Sequence, residues 1–224
     1  MSKKRKLLYG VLVVCLACMI AVGCLVTPVI IRGYDMYKAA VTAVSIDEKV
    51  AEIRSDEDYL PLEQISDEYL TSLVKSEDKR FYNHSGIDYL ATARAMMNNV
   101  RARAFKEGGS TITQQLAKNM FFSFEKKLER KVAELYVVRE LENTLSKDEI
   151  LELYCNVIYF GENCYGIKEA ANHYYGVEPS ELNSDQVDAL VYTIKSPNNY
   201  NPNAKLEYAI SNNKVLFESM QNLY

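Results

Sequence analysis

The chain opens with two blocks of opposite character. Four cations, Lys3, Lys4, Arg5 and Lys6, precede an uninterrupted run of 25 uncharged and mostly apolar residues at 7–31, "LLYGVLVVCLACMIAVGCLVTPVII". A bilayer core needs about 20 such residues in helical form, so the run predicts a transmembrane helix at 7–31 behind a basic tail at 1–6. From Arg32 the pattern turns mixed and charged. It predicts a membrane-proximal stem at 32–60, with a short helix at about 39–54 and then the extended stretch "DYLPLEQI", where Pro61 blocks helical continuation.

Beyond residue 60 the apolar positions recur at helical spacing. Ser66 is placed to cap a helix, Asp67 and Glu68 suit its positive first turn, and Leu70, Leu73 and Val74 share one face. This predicts a helix over 67–77 that ends at Glu77. Helical periodicity returns in "IDYLATARAMMNNVRARAF" and breaks at the two glycines of "KEGGS", which predicts a mobile segment, before Ser110 opens another helix. A helix over 130–143 follows, and Ser146 with Glu149 makes a capping box at the head of one carrying Ile150, Leu151 and Leu153. The chain shows no internal repeat, low-complexity tract or regular strand-and-turn series. The fold class expected is mainly α, with one domain over 61–224.

Charge narrows the function classes. The chain carries 26 Lys and Arg against 30 Asp and Glu, and removing the four leader cations leaves 22 against 30, a net of −8 over residues 32–224. That balance excludes the broad basic footprint of a nucleic-acid binder. The basic tail should stay in the cytoplasm under the positive-inside rule, which sends the domain to the outer face. A cleaved signal peptide, whose apolar core is about 7–15 residues, or lipoprotein processing at Cys24 after the poorly matching Ala21 would leave the domain on the same side. Of the five cysteines, three lie in the apolar run. An external location permits a disulfide between Cys155 and Cys164, although connectivity is not readable from sequence. The two histidines, His84 and His173, have no neighbours at metal-ligand spacing, so no metal site is predicted.

Taken singly, the candidate chemical groups are modest. A glutamate at a helix end such as Glu77 is usually solvated, and a lone histidine such as His84 is more often a structural hydrogen-bonding residue than a catalyst. "GGSTITQQLAKN" at 108–119 sets hydroxyls and amides at a helix start, where free backbone N–H groups favour an anion but also make an ordinary cap. In "RKVAE" at 130–134, Glu134 lies four residues after Arg130 and three after Lys131, on one helical face. With Lys118 these offer three cations for a polyanionic leaving group, and the planar fork of arginine suits phosphate oxygens.

Together these stretches carry a resemblance. "EDKRFYNHSG" (77–86), "GGSTITQQLAKN", "RKVAE", "ILELYCNVIYFG" (150–161) and "AANHYYG" (170–176) occur in the order and rough spacing of the five motifs of family 51 glycosyltransferases. The chain strongly resembles a peptidoglycan glycosyltransferase, related to the glycosyltransferase domain of class A penicillin-binding proteins, over residues 60–220. The resemblance implies a lysozyme-like helical lobe with a small membrane-proximal lobe. It implies polymerisation of lipid II by inverting transfer, Glu77 serving as general base towards the acceptor 4-hydroxyl and Glu134 as the second essential carboxylate, organising the donor site. Gln115, Lys118, Arg130 and Lys131 would hold the donor pyrophosphate, with Ser110, Thr111 and Asn119 beside them. Inversion needs no covalent sugar intermediate, unlike retaining glycosidases.

Asp78 is assigned a supporting place in the loop, and Ser110 and Thr111 are expected to order a helix start rather than act as nucleophiles. No cofactor follows from the residues, and a divalent cation beside the pyrophosphate enters only by family analogy. Expected partners are lipid II, the growing glycan strand, the bilayer and other wall-synthesis proteins. The expected location is the bacterial cell membrane, single-pass, with an extracytoplasmic domain. A chain ending at Tyr224 leaves no room for a transpeptidase domain, and "SLVK" (72–75) and "SFEK" (123–126) match its Ser-to-Lys spacing by accident, so a monofunctional enzyme is expected. The rival readings are a lytic glycosidase on the same scaffold and an inactive membrane-anchored scaffold protein. The chain departs from the family pattern at Val138, Cys155, Tyr175 and Gln186.

Overall fold

The computed structural model describes residues 3–104, 108–122 and 127–204. "SFEK" and the Lys106 and Glu107 part of the expected mobile segment lie outside them. The described chain is mainly α, as expected. Ten helices run in the order α1 (Lys3–Ala43), α2 (Ile46–Arg54), α3 (Asp67–Glu77), α4 (Tyr89–Ala102), α5 (Ile112–Phe121), α6 (Leu128–Thr144), α7 (Lys147–Val157), α8 (Ile167–Tyr175), α9 (Ser184–Thr193) and α10 (Pro197–Tyr200). A two-stranded antiparallel hairpin, β1 (Tyr159–Gly161) and β2 (Cys164–Tyr165), sits between α7 and α8.

The first helix differs from the expected pattern. It does not stop where the apolar run stops at Ile31 but continues for a dozen residues, to Ala43. Its side chains from Val11 to Pro28 are exposed, whereas Gly33 and Tyr37 are buried against α6. The helix expected at about 39–54 is therefore two pieces. Ser45 takes extended dihedrals and forms a capping box with Glu48, which starts α2 afresh. Tyr37, Ile46, Val50 and Leu60 join the same apolar core as Tyr69, Leu73 and Phe81.

Helix α5 is the centre of the molecule. Ile112, Leu116 and Ala117 are fully buried, and the helix packs against α6 on one side and α7 on the other. It starts one residue later than expected, because Thr111 and not Ser110 forms the capping box, with Gln114. Helix α6 shows no simple amphipathic stripe. One of its faces, Glu129, Val132, Tyr136 and Glu140, meets α1, while Ala133, Val137, Val138 and Leu141 enter the core. A helix buried on two sides loses the single apolar stripe of a surface helix.

The departures from the family pattern have local accounts. Gln186 occupies the third helical position of α9 and closes a capping box with Asn183, a task glutamine performs as well as glutamate. Val138 fills the space left by the missing side chain of Gly86, whose added Cβ would lie 2.4 Å from it. Cys155 is fully buried, and Cys164 is also buried; both are free thiols. Burial pushes both thiols up, that of Cys164 to about 11. Tyr175 is half-buried against the core.

Candidate active site

Glu77 is the last residue of α3, and the next residue locks that helix end in place. Asp78 is buried; its carboxylate accepts the backbone N–H of Ile112 at 3.1 Å and faces His84 Nε2 at 2.9 and 3.0 Å. One carboxylate thus ties the C-terminus of α3 to the N-terminus of α5, where free N–H groups favour an anion. Asp78 and His84 are supports, as the sequence suggested. Arg80 holds Asp88 in a bidentate ion pair that depresses the Asp88 carboxyl to about 2, and Asp88 in turn caps α4 through Ala91 N at 2.7 Å.

Glu77 itself is half-buried. Its Oε2 accepts from Gln115 Nε2 at 2.9 Å, and its Oε1 accepts from the Ser76 hydroxyl at 3.3 Å. Gln115 Oε1 accepts from the Tyr154 hydroxyl at 2.9 Å. Burial first and Glu77 second push the Tyr154 phenol well above its ordinary range, so it stays a neutral donor. Two neutral side chains in series therefore orient Glu77. Tyr154 had no assigned part in the sequence reading, although it lies inside the fourth motif string.

Three residues along α5 from Gln115, Lys118 joins a second constellation. Glu134, only 1 % exposed, is paired by Arg130 and by Lys131 Nζ at 2.9 Å. Lys131 Nζ also donates to the Ser110 hydroxyl at 3.2 Å. Burial and the neighbouring cations depress the Lys131 ammonium to about 8, and burial with Arg130 lowers Lys118 as well. Arg130 is likewise lowered by burial. Arg130 and Lys131 share one buried carboxylate and Lys118 lies close to both cations, which leaves an excess of positive charge suited to an anion.

The structure thus brings together Glu77 with Gln115, and Lys118 with Ser110, Arg130, Lys131 and Glu134. Two expected members stand apart. Thr111 is buried, with its hydroxyl spent on Gly86 O at 2.7 Å and on the helix cap. Asn119 lines a different cleft of about 550 Å³, beside Tyr59, Asn156, Tyr159 and Tyr165.

A groove of about 760 Å³ between α3 and α9 went unread in the sequence. Its walls include Lys75, Ser76, Asp188, Tyr192 and Lys195, with the Lys195 ammonium 5.3 Å from the Tyr192 ring. Ser76, one of its lining residues, donates to Glu77 at 3.3 Å.

The donor sets do not suit a divalent ion. Asp78, His84 and Asp88 place ligand atoms within 4.8 Å of one another, but Arg80 occupies Asp88 while His84 and Ile112 N occupy Asp78. Glu134 is likewise filled by its two cations. Hard divalent ions want several free oxygen ligands, and in both clusters protein partners already hold the carboxylates.

Comparison with known proteins fits this arrangement. The family model described as Transglycosylase matches residues 46–221. Penicillin-binding protein 1A of Aquifex aeolicus is 40 % identical over 162 residues, covering 72 % of this chain and 22 % of that protein. The biosynthetic peptidoglycan transglycosylase of Nitrosomonas eutropha is 44 % identical over 142 residues, covering 63 % of this chain and 58 % of its own length. Penicillin-binding protein 1F of Bacillus subtilis is 34 % identical over 208 residues, covering 89 % of the chain and 29 % of the relative. The chain therefore spans well under two thirds of these relatives. With the model covering most of its length, the chain belongs to the transglycosylase family.

Proposed function

We propose that the protein is a membrane-anchored peptidoglycan glycosyltransferase that polymerises lipid II into glycan strands. The observation that carries this reading is the convergence of two unlike sites on one helix. Gln115 of α5 holds Glu77, while Lys118 of α5 lies among the cations around Glu134. Glu77 takes the proton of the acceptor 4-hydroxyl as that oxygen bonds to the anomeric carbon of the donor. The bond from that carbon to the lipid pyrophosphate breaks, and its electron pair leaves with the pyrophosphate. Attack opposite the leaving group inverts the anomeric centre. Arg130, Lys131 and Lys118 receive the negative charge that develops on the departing group, a fixed electrostatic contribution often larger than that of the base. Glu134 keeps those cations aligned and prevents mutual repulsion from splaying them. In this reading the acceptor reaches Glu77 from its Ser76 side, where the groove between α3 and α9 lies.

One helix, Val11–Ala43, is long and apolar enough to cross a membrane. In this reading it does so once, with the basic tail in the cytoplasm and the domain outside, which keeps the site beside a substrate whose lipid tail stays in the bilayer. A lytic glycosidase on the same scaffold would leave the three cations without a task. The test is to offer the detergent-solubilised protein lipid-linked disaccharide in one reaction and uncrosslinked glycan strands in another. Polymer from the first and unchanged strands in the second is the expected result; shortened strands without polymer would overturn it.

A further inference from the structure

Helices α1 and α6 run side by side and in the same direction. Arg32 pairs with Glu129 at 3.0 Å, Gly33 abuts Val132, Tyr34 and Tyr37 pack on Tyr136 with ring centroids 5.3 and 5.2 Å apart, and the Tyr37 hydroxyl donates to Glu140. Contacts therefore climb both helices together, from 32 to 37 on one and from 129 to 140 on the other. The close approach depends on Gly33. A Cβ there would lie 2.6 Å from Val132 Cβ and 2.8 Å from Glu129 O, distances no side chain tolerates.

This register has a geometric result. Glu129 and Val132 lie level with Arg32 and Gly33, so Arg130 and Lys131, which stand between them in sequence, lie within about one helical turn, ~5 Å measured along the helix axis, of the level of the last apolar residue of the span. Headgroups occupy roughly 5–7 Å on each side of the hydrocarbon core. Leu128, the first residue of α6 and so at the same end of the helix, is apolar and exposed. Resting on the reading of the activity above, we propose that α1 is a ruler as well as an anchor. Packed along α6 through Gly33, Tyr34 and Tyr37, it holds the cations at headgroup depth, where a lipid-linked pyrophosphate lies. Gly33, Tyr34 and Tyr37 are then positioning residues that touch no substrate.

The inference separates positioning from folding by the length of the substrate's tail. A long polyprenyl tail fixes the pyrophosphate depth in a vesicle, whereas a short-tailed, water-soluble analogue comes to the site at any height. Gly33→Leu pushes the helices apart, and Tyr34→Ser/Tyr37→Ser releases them without a clash, which keeps the test open if the first variant folds poorly. Both variants should lose at least about tenfold in polymerisation of the long-tailed substrate in vesicles, since misplacement by about 1 Å costs on the order of 10²-fold. Loss on the short-tailed analogue should stay under about threefold. Equal losses on both substrates would mark a folding defect and overturn the ruler, as would full activity on both. Wild-type protein that polymerised neither substrate would instead overturn the proposed activity itself.

Discussion

Glu77 on α3 and Glu134 on α6 are the same residue type, yet their surroundings give them opposite tasks. Glu77 is half-buried and, among the described residues, accepts from a neutral amide and a hydroxyl. Glu134 is sealed off and held by two cations, and no oxygen is left for a substrate proton. The chemistry of a carboxylate is thus chosen by what already occupies its lone pairs. One remains available as a base, and the other is consumed as a counter-ion that organises positive charge.

The largest effect expected from breaking this contrast is on the base. Glu77→Gln keeps the Gln115 contact and the helix end but removes the proton acceptor, so kcat in polymerisation should fall by roughly 10²- to 10⁴-fold. Next comes the charge side. Lys131→Ala removes one cation while leaving Arg130 to cover Glu134, and kcat/KM should fall on the order of 10²-fold. Removing Arg130 is a poorer probe, because uncovering a buried carboxylate costs about 3–5 kcal/mol of stability on its own.

A pH profile sharpens the same point. Lys131 sits at about 8, below the ordinary lysine range. Its cationic form is present below that value and lost above it, and an anionic group binds the cationic form. kcat/KM should therefore decline as pH rises through about 8 and show no loss from this group below it. Lys131→Arg retains its charge to beyond about pH 12 and should abolish that alkaline limb while keeping activity. The smallest effect is expected at Gln115→Ala, which frees Glu77 Oε2 and removes the Tyr154 relay. Water can replace the lost donor at a half-buried carboxylate, so the net loss is that of an ordinary hydrogen bond, about 1–1.4 kcal/mol, and a drop of roughly five- to tenfold in kcat is expected.

Local features of the site were readable from the sequence and its long-range ones were not. The Ser66 cap, the acidic first turn and the apolar spacing placed Glu77 at a helix end, where it lies. Arg130, Lys131 and Glu134 share a helical face because 3.6 residues per turn require it. The start of α5 was misjudged by one residue, since Ser110 and Thr111 are both good caps and only the pairing of Thr111 with Gln114 decides between them. The hairpin escaped notice because its strands are two and three residues long, and its turn uses Glu162 and Asn163 at φ of 50° and 64° instead of a glycine. The extension of α1 to Ala43 was also hidden. Its charged face reads as a stem, and the partners that bury its other face lie about a hundred residues away in sequence.

The division of labour between the two carboxylates is tested most directly by titrating inorganic pyrophosphate into three forms of the protein by calorimetry. Wild type and Glu77→Gln should bind it equally, within about twofold, while Lys131→Ala should bind at least tenfold more weakly, a loss of about 1.4 kcal/mol. If Glu77→Gln weakened binding as much as Lys131→Ala, or if Lys131→Ala left it unchanged, base and charge would not be separate functions and the account would be contradicted.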